Sequence, residues 1–518
     1  MAEGGKQVLV HRVEQLAAAA GADGPTTAAG HGAEPSAGPG DPTDTEQQLG
    51  FLEAVRLYPR AIAWSAFFSL GVISTAFDQQ LVGSLYAAPQ FRRDFGYQHG
   101  GEYIIDASWQ SALSMGSPVG QVVGALLAAY PMQRFGRKRT FAGCVLSTAG
   151  LVLVQFFEIA MGVLVVGELL AGLVLGVFVV IAPTYGSEVC PTAIRGHLAS
   201  YIELCFVLGQ LVANGVTAGT QHMHTHWAYS LPFALQWLWA AVIVPGRCTM
   251  VTSYPLSKKS WAIARELGRV ADAVTLECLG ALDRVNLRRT EIASGVYCCQ
   301  VLSGIYLVSY GTYFFQQAGL PTEQAFNMSV GFLGVGLVGV VVSWFLLVGV
   351  GRRLLFVGGL AILSGLQFLI GILDCVPGRP SGAIWAESAL MLVWNLLYNT
   401  TIGPVCFVLL SECSATRVRS KTIAVATAAQ GLLGIVMTVA IPYMINPAQA
   451  NMQGKLGFFF GGLAGLCLLW AYFRVPETRG RTYGELDLLF DKGVSARKFE
   501  SCRLAVIPEV GATVHTCR

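Results

Sequence analysis

The sequence predicts an all-α membrane protein with twelve transmembrane helices arranged as two six-helix halves. Composition is the first reason: 53% of the 518 residues are hydrophobic and only 13% are charged, against about a quarter charged in a soluble domain. The second is that long apolar stretches recur between residues 61 and 473, each near the ~20 residues a helix needs to cross a hydrocarbon core. The third is a pair of short motifs that recur in the two halves at similar offsets.

The opening tail, 1–55, contains AAAAGADGPTTAAGHGAEPSAGPGDPTD, is poor in apolar residues and lacks the basic start and apolar stretch of a signal peptide. It is expected to be disordered and cytoplasmic, because it cannot bury enough apolar surface to fold. A first bundle at 56–245 holds spans at 61–83, 107–130, 140–158, 161–182, 198–219 and 229–245. A central loop at 246–293 follows, then a second bundle at 294–473 with spans at 294–315, 328–350, 354–373, 385–410, 422–444 and 455–473. The remaining 474–518 form a second tail. The cysteines, among them Cys144, Cys190, Cys205, Cys298, Cys299, Cys406 and Cys467, are scattered through apolar segments without metal-ligand spacing, and read as small core hydrophobes.

Orientation follows from the basic residues. Apart from Arg92, Arg93, Arg379 and Lys455, every Lys and Arg falls in the tails or in alternate loops. The positive-inside bias then predicts that both termini and the central loop are cytoplasmic. The net charge of +3 gives no sign of a nucleic-acid partner; the expected partners are the lipid bilayer and a small molecule, with the protein a monomer. No cofactor or metal is expected.

The repeat is read from two motif pairs. RFGRKR between spans 2 and 3, with Arg134, Gly136 and Arg137, answers Gly351, Arg352 and Arg353 between spans 8 and 9. SEVCPTAIR after span 4 pairs Glu188 with Arg195, as SECSATRVR after span 10 pairs Glu412 with Arg419. Matched motifs at corresponding helices indicate a duplicated six-helix unit, the arrangement in which substrate binds between two rocking halves near mid-membrane. These charges lie at the cytoplasmic edge, where water can resolvate them when ion pairs break, so they are candidate gate residues, and Glu477 and Arg479 in PETRGRT join them. Taken singly, each motif could equally be a helix end anchored to headgroups.

PTYGSEVCPTAIRGHL, YGTYFFQQAGL, GPVCFVLLSE and VPETRGRT resemble the sugar porter branch of the major facilitator superfamily, and IPYMINP with GRTYGELDLLF resembles its fungal α-glucoside (maltose) permeases. The resemblance covers about 55–490. It implies a plasma-membrane sugar carrier rather than an enzyme, with a proton as the usual coupling ion. Asp78 in AFDQQLVG stands where proton-coupled sugar porters carry an Asp; the alternative is a wet acid near the outer end of span 1. Glu168 in span 4 matches an acid of the α-glucoside permeases where many hexose carriers have Arg, and Glu203 in span 5 takes the place of a sugar-contacting Gln. These three acids are the proton-coupling candidates, because a carboxylate buried in a membrane must be paired or protonated; for Glu203 a sugar contact is equally open. Gln300, Ser303, Gly304 and Tyr310 on span 7 answer the family's sugar-binding pattern, and Asn399 and Phe407 on span 10 stand at positions of a polar contact and an aromatic lid.

The sequence also departs from the family. Val301 and Tyr306 replace a Gln and an Asn of the span 7 motif, Gln133 and Val348 replace loop acids, and Thr427 stands where maltose-type relatives have Arg. After Pro245 the chain reads PGRCTMVTSYPLSKKSWAIAREL, which leaves only about 231–245 as apolar span 6, short for a crossing. Two other readings therefore remain open: a sugar sensor that does not transport, and a non-functional relative with a damaged span 6.

Overall fold

In hydrocarbon every backbone N–H and C=O must find a partner within the protein, so the apolar stretches have to become helices. The computed structural model describes residues 59–99, 102–157, 160–189, 192–250, 284–317, 321–377, 381–415, 418–446, 449–481, 483–506 and 513–516. The tail at 1–55 and the segment 251–283 lie outside these residues.

Span 1 is α1 (Pro59–Leu85), followed by a short α2 (Pro89–Phe95) and an antiparallel pair, β1 (Tyr97–His99) and β2 (Glu102–Ile104), with Tyr97 opposite Ile104. Spans 2 to 5 are α3 (Ala107–Arg134), α4 (Arg137–Phe156), α5 (Met161–Val189) and α6 (Thr192–Thr220), and span 6 is α7 (Trp227–Ala234) with α8 (Gln236–Met250). Span 7 comprises α9 (Arg284–Leu302), one 3-10 turn (Ile305–Leu307) and α10 (Gly311–Gln317). Spans 8 to 12 are α11 (Thr322–Gly349), α12 (Arg352–Asp374), α13 (Ser381–Thr400) with α14 (Ile402–Cys413), α15 (Arg419–Ile445) and α16 (Leu456–Arg474). The tail adds α17 (Tyr483–Asp491) and a second small pair, β3 (Arg503–Val506) and β4 (Thr513–Thr516). Twelve spans are therefore present, as expected, and the strands lie outside them.

Among the described residues, nine helical stretches are long and apolar enough to cross a membrane. The other three spans have evident reasons to fall short. α1 carries Asp78, Gln79 and Gln80 in succession; spans 6 and 7 are broken into pieces. Span 6 stays short as an apolar crossing, although its helical backbone continues past Pro245 to Met250.

The breaks have local causes. In span 7 the chain leaves the helix at Gly304, whose φ of 101° is open to glycine but strained for other residues. The freed Ser303 carbonyl accepts from Gln367 Nε2 of α12 at 2.6 Å, and a side chain at 304 would run into that same amide. In span 10 the break falls at Thr401 (φ −118°, ψ −81°), three residues before Pro404, a residue that has no N–H to offer the preceding turn.

Spans 2 and 4 approach backbone to backbone. Gly116, Gly120 and Gly124 on α3 meet Gly172 and Gly176 on α5, and a Cβ at Gly120, Gly172 or Gly176 would overlap the carbonyl oxygen of Leu169, Ser117 or Gln121 respectively. This is the small-residue packing that lets membrane helices come close. Its result is that Ser117 and Gln121 are held against the helix that carries Glu168.

Toward the ends remote from the basic loops, the two halves meet through neutral hydrogen bonds. Asn214 Nδ2 of α6 donates to Ser329 Oγ of α11 at 2.7 Å while its Oδ1 accepts from Gln80 and Ser84 of α1. Tyr310 of span 7 donates to Ser114 of α3 at 2.8 Å. Gln316 of α10 reaches the Ala87 carbonyl at 3.2 Å.

Candidate substrate cavity and buried carboxyl pair

Between the halves lies a cavity of about 100 Å³. Gln79 of α1, Gln121 of α3 and Glu203, Phe206 and Gln210 of α6 line it from one half. Gln300 of α9, Tyr306 of the 3-10 turn, Asn395 and Asn399 of α13, Phe407 of α14 and Gln430 of α15 line it from the other. Each amide both donates and accepts hydrogen bonds, as a sugar hydroxyl does. Phe206 and Phe407 stack with ring centroids 6.0 Å apart and supply an apolar wall.

The lining is ordered by its own contacts. Gln430 Nε2 donates to Gln300 Oε1 at 2.6 Å, across spans 11 and 7. Asn399 Nδ2 donates to Asn395 at 2.9 Å, and Asn395 in turn donates to the Phe332 carbonyl. Glu203 is 4% exposed, packs against Gly403 where any side chain would displace its carboxyl, and is the one acid among the described residues of the lining.

A second, smaller cavity of about 40 Å³ adjoins the first, sharing Gln79, Pro118, Tyr306 and Ser309 with it and adding Ser114, Ser117, Glu168 and Tyr310. Behind it sits Asp78, fully buried. Its Oδ1 accepts from Gln236 Nε2 of α8 at 2.9 Å and from Gln155 Nε2 of α4 at 3.2 Å, and its Oδ2 from Ser117 Oγ at 3.3 Å. Gln155 Nε2 also donates to Glu168 Oε1 at 2.9 Å, so one amide bridges the two carboxyls. Asp78 is thus no wet acid at a helix end; it is half of a buried carboxyl pair set among neutral donors.

The candidates from sequence sort into groups. Glu203, Gln300, Asn399 and Phe407 share the larger cavity, Glu168 and Tyr310 the smaller, with Asp78 behind it. Ser303 and Gly304 line neither cavity: the Ser303 hydroxyl turns back to the Gln300 carbonyl at 2.8 Å, and Gly304 makes the helix break. Tyr310 stacks on Tyr86 at 5.9 Å and closes the far side.

Among the described residues, the gate candidates of the second half make close contacts within that half. The Glu477 carboxylate sits at the N-terminus of α12 and accepts from the backbone N–H of Arg352 and Arg353 at 2.9 and 3.1 Å, a cap that also meets the positive end of the helix dipole. Gly351 is glycine because a Cβ there would overlap that carboxylate. Arg479 caps the other end of the turn, donating to the Val348 and Gly349 carbonyls at 2.8 and 2.7 Å. Glu412 lies 3.5 Å from Arg352 and accepts from Thr478, while Arg353 donates to the Tyr472 carbonyl and buried Arg419 lies over the Tyr483 ring at 4.0 Å. In the first half, Arg134 turns to Tyr130 one helical turn back, Gly136 takes a φ of 80° ahead of α4, and Arg137 is exposed. Glu188 and Arg195 lie on the ends of α5 and α6, and their side chains fall outside the described residues.

The residues from 64 to 490 match the family described as sugar (and other) transporters. This chain belongs to that family. A maltose permease of Saccharomyces cerevisiae is 32% identical over 498 residues, covering 89% of this chain and 80% of the permease. A general alpha-glucoside permease of the same yeast is 31% identical, covering 88% and 79%. Among solved structures, the proton:xylose symporter XylE bound to 6-bromo-6-deoxy-D-glucose shares the fold, with a TM-score of 0.66 at 19% identity over 84% of this chain and 99% of that one. The inward-open form of XylE from E. coli gives 0.61 at 21% identity, covering 83% and 99%. This sugar transporter is a permease by kinship and not an enzyme.

Sequence reasoning missed much of the amide lining of the transporter: Gln79, Gln121, Gln210, Asn395 and Gln430 in the larger cavity, and Gln155, Gln236 and Ser117 around Asp78. One signal was available. An uncharged amide inside an apolar span needs an internal partner, so each Gln or Asn there marks either a helix contact or a cavity.

Proposed function

We propose that this protein carries an α-glucoside such as maltose, or a related mono- or disaccharide, across the plasma membrane by alternating access, with a proton moving in the same direction. The observation that supports this reading best is adjacency: a cavity lined by amides, one acid and stacked aromatic rings lies next to a buried pair of carboxyls bridged by Gln155. Gln300, Asn399 and Glu203 bind sugar hydroxyls, Phe407 covers an apolar sugar face, and Asp78 with Glu168 holds the coupling proton; Glu203 is the second proton candidate. Relatives named for maltose and alpha-glucosides, and a fold neighbour named as a proton symporter, point the same way.

The protein works as a monomer, with both termini and the basic loops in the cytoplasm. Arg352, Arg353, Glu412, Glu477 and Arg479 knit helices of the second half to each other, so that half can rock as a body. The test is uptake of labelled maltose, glucose and a panel of other sugars into proteoliposomes, with and without an inward proton gradient. Accumulation of an α-glucoside only with the gradient is expected. Equal uptake in both conditions would establish facilitated diffusion instead, and no uptake of any sugar would sink the reading.

A further inference from the structure

The two cavities share a wall but not a function, and coupling requires that one sense the other. We propose that Gln121 and Ser117 form a hydrogen-bond relay through which a sugar in the larger cavity is felt by Asp78. This rests on the proton-coupled reading above.

The chain of contacts is continuous and runs one way. Gln79 Nε2 donates to Gln121 Oε1 at 3.2 Å, Gln121 Nε2 donates to Ser117 Oγ at 3.1 Å, and Ser117 Oγ donates to Asp78 Oδ2 at 3.3 Å. Gln79 and Gln121 both line the sugar cavity, whereas Ser117 lines only the acid cavity. A hydroxyl has a single proton. Because Ser117 accepts from Gln121, its own proton is left to point at Asp78, and donors aligned in series strengthen one another.

Sugar binding acts on the cavity end of this chain. A sugar hydroxyl that takes the Gln79 or Gln121 amide as its partner turns Gln121 away from Ser117, and Ser117 loses the donor that orients it. The hydrogen bond from Ser117 stabilises the ionised form of Asp78, so weakening it favours proton uptake when sugar is bound.

The surroundings leave the side chains as the route. Ser117 and Gln121 lie one turn apart on α3, and their carbonyls abut Gly172 and Gly176 of α5 so closely that no side chain fits there. The backbone of this stretch is wedged against the next helix. Tyr306 lines both cavities, and its hydroxyl rests against Gly434, where a Cβ would overlap it. Its ring forms part of the wall that the relay bypasses.

The experiment compares maltose counterflow with maltose-induced proton uptake, read by a trapped pH dye, in proteoliposomes of the wild type and of Ser117→Ala, Ser117→Thr and Gln121→Met. Ser117→Ala should keep counterflow while protons taken up per maltose fall about tenfold, the factor a lost hydrogen bond to a charged group is worth. Ser117→Thr retains the hydroxyl and should restore the ratio. Gln121→Met breaks the chain from the sugar side, so its ratio should fall and its counterflow KM rise together. A Ser117→Ala ratio equal to wild type overturns the relay, even if less protein reaches the membrane, because the ratio does not depend on amount. If Ser117→Ala does not fold, a wild-type ratio in Gln121→Met overturns it equally. Wild-type maltose exchange without proton uptake would instead sink the symport reading, and absent exchange the choice of substrate.

Discussion

Asp78 shows how far a single residue can be read from its neighbours along the chain. Its place inside a span raised the question of a proton, but AFDQQLVG cannot say whether the carboxyl is wet. The fold brings Gln155, Gln236 and Ser117 to it from three other helices and places Glu168 of a fourth on the same Gln155 amide, and a carboxyl buried in a membrane among neutral donors is a natural place for a proton. Asp78→Asn keeps the size and most of the hydrogen bonding but removes the charge change. Accumulation of maltose against its gradient should stop while counterflow survives. Unchanged pH-driven accumulation in the Asn variant would exclude Asp78 as the coupling residue and move that role to Glu168 or Glu203.

Elements explain why particular glycines cannot be exchanged. At Gly120 the α3 backbone lies against the Leu169 carbonyl of α5, so even the methyl group of Gly120→Ala must push the two helices apart. Overpacking of this kind costs about 1–3 kcal/mol, and the variant should melt at a lower temperature in detergent while Gly143→Ala, which meets nothing within 4 Å, should not. Gly304 carries a different constraint. Gly304→Ala should lose roughly 1–2 kcal/mol from its left-handed backbone alone, and more from displacing the Gln367 amide that caps Ser303. Its melting temperature should fall, and maltose affinity with it, because the break orients Tyr306 and Gln300 toward the cavity. Intact stability in Gly304→Ala would show that the turn can refold as a continuous helix. Glycines recur every four residues at 116, 120 and 124 and at 172 and 176, but the carbonyls they meet are set only by the packing of the two helices.

At the scale of the whole molecule, the contact between halves on the side remote from the basic loops includes, among the described residues, neutral hydrogen bonds centred on Asn214. Such contacts can part without leaving a charge in hydrocarbon. If alternating access opens this side, a cross-link there should stop transport: in the double variant Asn214→Cys, Ser329→Cys, oxidation should abolish maltose uptake and a reductant restore it, while neither single variant responds. Uptake that persists after verified cross-linking would show that these helices do not separate. The sequence by itself determined the class of molecule, because apolar length, basic-loop alternation and the two repeated motifs are all local patterns that survive without knowledge of contacts. It also located Asp78, Glu168, Glu203, Gln300, Asn399 and Phe407, each a polar or aromatic residue at a place the family resemblance singled out. Tertiary structure alone decided which of these share a cavity, that Ser303 and Gly304 sit at a helix break outside both cavities, and that Glu477 and Arg479 cap helix ends. The physical reason is that a buried polar group is defined by its partner, and the partners here lie on other helices: Gln155 and Gln236 stand 77 and 158 residues from Asp78.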